Sequence, residues 1–432
     1  MKKLPPMTPM DKDIAENVSR ISHLDLPGAG QVEVVGNYAY IGHMDPPHGT
    51  SILDISDLKN PQIVSEIMLD DDQSHTHKAR VVGDIMYTNV EQFNRHYMRR
   101  GDGIPALRAE LAAAGKEPSD ANVASVMNIR ESEVAVLDAA RERGYYDGGF
   151  KVYDIKDKAN PKLLKHVRTG GFGAHRFDVD QTHAYISTEM EGYQGNILVI
   201  YDCADPADPK EVSHWWMPGQ KISAGEKPFW PADHRRLHHG LRFGDRLWAA
   251  AWHGGYWLID VSDITKPTTI ATYDTNPPFI EPAHTLMPLA QEIDGMKIAV
   301  GIDEQHGQII GQPPAGLWIF DVTVETELKP ISVFILSELD SPYARKGGRF
   351  GAHQYHEKPI GTLIFATWFN GGLRVIDLAD PFSPREVGHF IPAPVDGNAS
   401  PQSNDVFVDD NGIIFLVDRF NGLDILEWQG KG

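Results

Sequence analysis

Residues 51–67 read SILDISDLKNPQIVSEI, and the phrase returns along the chain. FKVYDIKDKANPKLLKHV (150–167) and ILVIYDCADPADPKEVSHW (197–215) share its shape. So do YWLIDVSDITKPTTIATY (256–273), LWIFDVTVETELKPISVFIL (317–336) and LRVIDLADPFSPREVGHF (373–390). Each is a short apolar run ending in Asp, a polar turn containing Pro, and a second β-type run. At 423–428, LDILEW repeats the first run without the second.

Upstream of each copy lies another pair of β-type runs joined by a turn, as in VEVVGNYAYIG (32–42), ARVVGDIMYTNV (79–90) and LRFGDRLWAAAW (241–252). Gly-Asn, Gly-Asp and the later DDNG (409–412) are hairpin signals. Each unit therefore reads as four antiparallel strands. Seven units fit, at about 30–67, 74–167, 174–215, 237–273, 283–336, 352–390 and 403–428. The seventh lacks its outer strand, and NVSRISHLDL (17–26) resembles an outer strand with no unit of its own. The reading is an all-β fold, a seven-bladed β-propeller of four-stranded antiparallel blades, with 1–432 as one domain and 17–26 closing the last blade. The phrases LVIYD, WLIDVSD, LRVIDLAD and ILDISD resemble the LVIVD-repeat family, and that resemblance implies a propeller while leaving the activity open.

Residues 95–147 interrupt the second unit. GIPALRAELAAAG and ANVASVMNIRESEVAVLDAARERG have helical composition and apolar spacing near 3.6, with Pro118, Ser119 and Asp120 as break and start. The segment is expected to be a helical insertion that caps the central opening or forms a contact in a homo-oligomer.

Composition narrows the partners. The chain has 432 residues, 41% hydrophobic and 23% charged, with 40 Gly and 30 Pro spread along it, as an ordinary globular protein rich in turns would. A formal charge of −20 disfavours nucleic acid. The lone Cys203 excludes an internal disulfide framework and a Cys-rich metal site. No stretch is apolar for the roughly 18 residues of a membrane span, and MKKLPPMTPMDKD has no apolar core of a secretory signal, so a cytoplasmic location with no membrane partner is expected.

The histidines are in register. G-A-H occurs at 173–175 and at 351–353, each after Phe, and A-H occurs at 283–284. His77 lies six residues before Gly83, His238 six before Gly244, and His175 six before Gln181, each at the start of an innermost strand. A propeller brings these starts to one rim of its channel. The candidate metal ligands are His77, His175, His238 or His239, His284 and His353, while Gly30 and Asn404 occupy the position in the first and seventh units. The ends of the second strands reach the same rim with His43, Glu91, Glu189, Glu191, His253, Asp303, Glu304, His306, Trp368, Asn370, Asp418 and Asn421. Of these, Glu189 and Glu304 are expected to orient imidazoles through their second N–H, and His253 to serve as acid or base. His75, His183, His214, His356 and His389 fall off the register and read as surface or packing residues, and His48 as a loop residue. Trp215, Trp216, Phe229 and Trp230 either wall the channel mouth or pack their own loop.

Imidazoles from successive blades suit a transition metal, iron by preference, with Cu, Mn or Zn as alternatives. The layout resembles the carotenoid cleavage oxygenases, which hold iron with four axial histidines backed by glutamates. It also resembles the selenium-binding-protein-like methanethiol oxidases; L-H-H at 237–239 matches the start of their L-H-H-S-G-W, and the match stops at L-H-H-G-L-R. These likenesses imply a metal-dependent oxidoreductase or oxygenase acting on a small organic substrate. A metal-dependent hydrolase or lyase is the nearer alternative, and a binding or assembly propeller without chemistry the other class.

Overall fold

The computed structural model describes residues 12–228, 235–307, 311–395 and 397–430. Phe229 and Trp230 lie outside the described residues. Nearly all regular structure is antiparallel β, in successive groups whose members pair in chain order. The first group is Ala29–Val35, Tyr38–His43, His48–Asp54 and Gln62–Met68. The second is Ala79–Val82, Ile85–Gln92, Gly149–Asp154 and Lys162–Arg168, and the third runs from Gly170–Val179 to Lys210–Trp215. The next run from Arg235–Phe243 to Thr268–Tyr273 and from Ala283–Pro288 to Lys329–Phe334. Single bridges, Gly173 to Glu91 and Trp252 to Ala283, tie neighbouring groups at one end.

The repeated Asp caps its turn. Asp54 Oδ1 accepts from Ser56 N at 2.9 Å and Asp57 Oδ1 from Lys59 N at 3.0 Å. The pairs Asp154 and Asp157, Asp202 and Asp205, Asp260 and Asp263, and Asp377 and Asp380 do the same. Two successive Asx turns reverse the chain. After the turn the outer strand carries one extra residue against the third, Leu164, Val212, Ile270 or Val387, and such a bulge adds twist towards the outer edge.

The last two groups borrow strands from the start of the chain. Leu363–Thr367, Leu373–Asp377 and Arg385–Ile391 are extended by Ile14–Glu16, with Ile14 opposite Ile391. Ser403–Val408, Ile413–Asp418 and Gly422–Trp428 are completed by Val18–Leu24, which runs from Val18 opposite Trp428 to Leu24 opposite Leu423. Apolar layers lie between groups: Val34, Ile41 and Leu53 pack with Phe415, Val417 and Ile425, joining the first group to the last.

Between Ile85–Gln92 and Gly149–Asp154 the chain forms Arg95–Met98, a 3-10 turn at Arg99–Gly103, then Ile104–Ala113, Asp120–Met127 and Glu131–Arg143. These helices carry their own small core of Ile104, Leu111, Val123, Val134 and Leu137. Ser119 caps the third, accepting from Asn122 N. No described helix is long and apolar enough to cross a membrane.

Candidate metal centre

The innermost strands lose their ladder register where the histidines stand. Shifts fall between Ala174 and Phe177, Arg235 and His239, and Ala283 and Thr285, with others at Ala29/Val32 and Ser403/Asp405. A residue released from the ladder can turn to the axis instead of alternating across the sheet. His175, His238, His284 and Asn404 are such residues.

The imidazoles form a continuous arc. Ring centroids are 5.1 Å apart for His77 and His175, 4.6 Å for His175 and His238, 4.3 Å for His238 and His284, and 4.6 Å for His284 and His353. Burial holds every one of these pKa values well below the ordinary 6.5, so the rings are neutral at pH 7.

Their hydrogen bonds fix which nitrogen carries the proton. His175 Nδ1 donates to Glu91 Oε2 at 2.9 Å, and His238 Nδ1 to the His284 carbonyl at 2.9 Å. His353 Nδ1 donates to the Asn404 carbonyl at 2.5 Å. His284 Nδ1 donates to Thr285 Oγ1 at 3.0 Å, because the Thr285 hydroxyl is itself committed to Gln354 Oε1 at 2.8 Å. All four rings therefore present an Nε2 lone pair. Two of these atoms, on His175 and His238, face each other at 2.7 Å. Lone pairs at that separation call for a cation, and a ring anchored through Nδ1 to a carbonyl or carboxylate is the usual form of a metal-binding histidine.

His77 differs. Asn89 Oδ1 accepts from Lys78 N at 2.9 Å, which orients the amide so that Nδ2 donates to His77 Nδ1 at 3.0 Å. The proton of His77 is thus on Nε2, which is buried without a partner. It is a donor into the cavity, where its four neighbours are acceptors.

The arc lines a cavity of about 460 Å³ together with His75, Glu91, Arg95, Arg176, Trp252, Glu304, Arg349 and Arg419. Glu304 stands on the Nε2 side, 3.9 Å from His284 and 3.8 Å from His353, so it faces the ion position and does not hold the second N–H of a ring. That orienting role falls to Glu91 for His175. His238, His284 and Glu304 offer ligand atoms within 4.8 Å of one another, and so do His75, His77 and Glu91.

Several sequence expectations meet a different arrangement. His239, one residue past His238, lies in the layer beneath, with Nε2 3.1 Å from Lys78 Nζ. Glu189 pairs with Arg99 and lines an adjoining cavity, outside the axial one. His253 Nε2 donates to the Ile280 carbonyl at 3.0 Å, and its neighbour Trp252 faces the centre instead. Trp252 adopts φ +56°, and its ring lies 5.0 Å from that of His238 at 31°. Phe369 repeats the device, with φ +45° and its ring stacked 4.6 Å from His353. Both precede the same kind of turn, H-G-G after Trp252 and N-G-G after Phe369. Left-handed backbone at a bulky residue is strained, and here it sets an aromatic plate against an imidazole. His75 is not a surface residue: it is buried 5.0 Å from His77 and bonds Glu91 at 3.0 Å. Among the candidates for the channel wall, Trp215 and Trp216 pack elsewhere, against Trp257 and Tyr193. Arg95 and His96, on the first helix after Gln92, reach the cavity.

Comparison with known proteins agrees with the architecture. The LVIVD repeat model matches residues 28–68 and 244–275. The β-propeller domain of Cps50 (Swd1) from Myceliophteria thermophila superposes with a TM-score of 0.52 at 10% identity, over 96% of this chain and 100% of that one. Saccharomyces cerevisiae Sqt1 gives a TM-score of 0.50 at 8% identity, over 95% of this chain and 88% of that one. A search of curated proteins finds no match to the chain. The strand groups, the repeats and the structural likeness lead to one conclusion: the chain has a β-propeller fold and carries sequence of the LVIVD-repeat type at 28–68 and 244–275.

Proposed function

We propose that this chain is a metal-dependent enzyme, an oxidoreductase or oxygenase acting on a small organic substrate at the channel axis. In this reading the groups are seven blades of one domain, closed by residues 17–26, and 95–147 is an insertion whose first helix covers the site. The observation that carries it is the arc of four Nδ1-anchored imidazoles, His175, His238, His284 and His353, lining one cavity, with ligand atoms of His238, His284 and Glu304 within 4.8 Å of one another. Glu304 supplies a carboxylate on the same side. Three or four nitrogen ligands with positions left open suit iron, and a bound metal would supply redox or Lewis-acid chemistry there. The protein's own residues orient the ligands through Glu91 and the carbonyls of His284 and Asn404. They wall the site with Trp252 and Phe369, and hold His77 Nε2–H as a donor beside it.

A hydrolase or lyase is the second reading. It draws on His306, whose Nε2 is 3.5 Å from Glu304 Oε2 at the cavity wall, an acid–base pair placed beside any bound water. Metal analysis of the purified full chain tests the common premise. Near-stoichiometric Fe, Cu, Mn or Zn that disappears in His175→Ala is expected; protein that stays metal-free after reconstitution would overturn it.

A further inference from the structure

The axial cavity is cationic on a chain of formal charge −20. Four guanidiniums line it, those of Arg95, Arg176, Arg349 and Arg419, against the carboxylates of Asp45, Glu91 and Glu304. Arg95 pairs with Glu91, and Arg349 with Glu304 at 2.8 Å. Arg419 Nε donates to a neutral acceptor, Asn404 Oδ1, at 2.7 Å. Arg176 is the exception. It is 3% exposed, and its one hydrogen bond runs from Nη2 to His284 Nε2 at 3.0 Å. Its Nε and Nη1 are buried with no partner, and no carboxylate forms an ion pair with it among the described residues. His77 Nε2–H, also unpartnered, lines the same cavity. Buried donors of this kind are ordinarily satisfied, and a guanidinium is the side chain best matched to a carboxylate or other oxyanion.

We propose that the axial cavity binds a small oxyanion, a carboxylate by preference, through Arg176 with His77 as a second donor. The site is coupled to the metal. Arg176 Nη2 rests on the lone pair that His284 would give to an ion, so guanidinium and ion compete for His284. An anion that draws Arg176 off His284 frees that ligand, and an ion at His284 releases Arg176 for the anion. By reciprocity each raises the affinity of the other. The coupling rests on the metal reading above; anion binding itself does not.

The test is calorimetric titration of the full chain, metal-stripped and zinc-loaded, with acetate and butyrate against acetamide and butyramide, and with sulfate as an inorganic arm. The carboxylates are expected to bind at least about tenfold more tightly than their amides in the stripped protein, and Arg176→Met to abolish that preference. Tighter binding of sulfate than of either carboxylate would assign the site to an inorganic oxyanion and overturn the carboxylate preference. Equal binding of acid and amide by the unaltered chain overturns the proposal, whether or not the variant folds. Saturating acetate should tighten zinc binding about tenfold, within the usual range of such couplings, and Arg176→Met should tighten it without acetate. If zinc does not bind while the carboxylate preference stands, the metal reading fails and the anion site remains.

Discussion

His238 and His239 are neighbours in the chain and belong to opposite layers of the channel. In the upper layer, His238 and its companions leave lone pairs and N–H groups facing a cavity. In the lower layer, buried charges answer one another. Lys78 Nζ donates to Glu357 at 3.1 Å and approaches His239. Arg80 donates to Glu33 at 2.5 Å and also pairs with Glu357 and Asp178. Asp405, pushed up to about 6 by burial, accepts from Val32 N at 3.0 Å. A second cavity of about 310 Å³ opens beyond these residues, lined by Arg80, Asp178, Glu357 and Asp405. The same residue types thus serve two ends: partners inside the protein make the lower layer a strut, and the unpartnered groups of the upper one, on Arg176 and His77, are those the proposed ligand would meet.

The largest separation between the layers is expected in metal content. His175→Ala or His353→Ala should lower bound metal at least about tenfold, read by elemental analysis, with little change in thermal midpoint. His239→Ala should leave metal content near that of the parent. Metal lost equally from the His239 variant would erase the distinction.

Stability should respond the other way. Lys78→Met leaves Glu357 and His239 facing a thioether, and breaking a buried pair of this kind costs about 3 kcal/mol. Urea unfolding of the stripped protein measures it. A cost no larger than that of His175→Ala would mean that the lower network carries no more structural weight than the upper arc.

Acid acts on buried histidine and buried carboxyl groups with opposite sign. His356, which lines the lower cavity, accepts from Val408 N at 3.2 Å, and burial pulls its pKa from 6.5 to about 3. Its unfolded form takes the proton first, so its contribution is complete above about pH 6.5 and shrinks as pH falls towards 3. Asp303 works oppositely: burial raises it from 3.8 to about 7, so what it adds is greatest in acid and declines as pH rises through that interval. The cost of His356→Gln should therefore fall by about 2 kcal/mol between pH 7.5 and 5. An unchanged cost would show that His356 does not titrate as a buried neutral ring.

The smallest effect is expected at Asn89, which touches both layers through Lys78 N and His77 Nδ1. Asn89→Ala frees His77 to place its proton on either nitrogen. Metal content should stay the same or rise slightly, and the stability loss should be about 1 kcal/mol. A collapse of metal binding would show that His77 is a ligand after all.

What the sequence discloses has a physical boundary. The Asp-x-x-Asp turns are local hydrogen-bonding devices, so their spacing is readable and the strand groups follow from it. The histidine register is readable because it counts back from a turn in each unit. The bulges are not readable, since nothing in the sequence says which residues leave the ladder: at one of them both His175 and Arg176 are released, and at another His238 is released while His239 stays paired with Ala250. The left-handed backbone at Trp252 and Phe369 displaced the expected facing residues by one. Glu91 was visible at its strand end, but only the fold shows that it bonds His175 across 84 positions. The strand Ile14–Glu16 is too short to stand out, and its partner lies near residue 390.

The pairing of Val18–Leu24 with Gly422–Trp428 also bears on how the chain is made. The strand that completes the last sheet is synthesised long before its partner, with His23 separated from Asp424 by 401 positions. Until then, the edges of the first and last groups stay open to water and to other nascent chains, and the contact that shuts them has a very large sequence separation, a condition for slow folding. A circular permutant with new ends between Arg385–Ile391 and Ser403–Val408 would make Val18–Leu24 and the three strands of the last group close together in time. It should reach the native state faster and with less loss to aggregation, while keeping the same histidine arc.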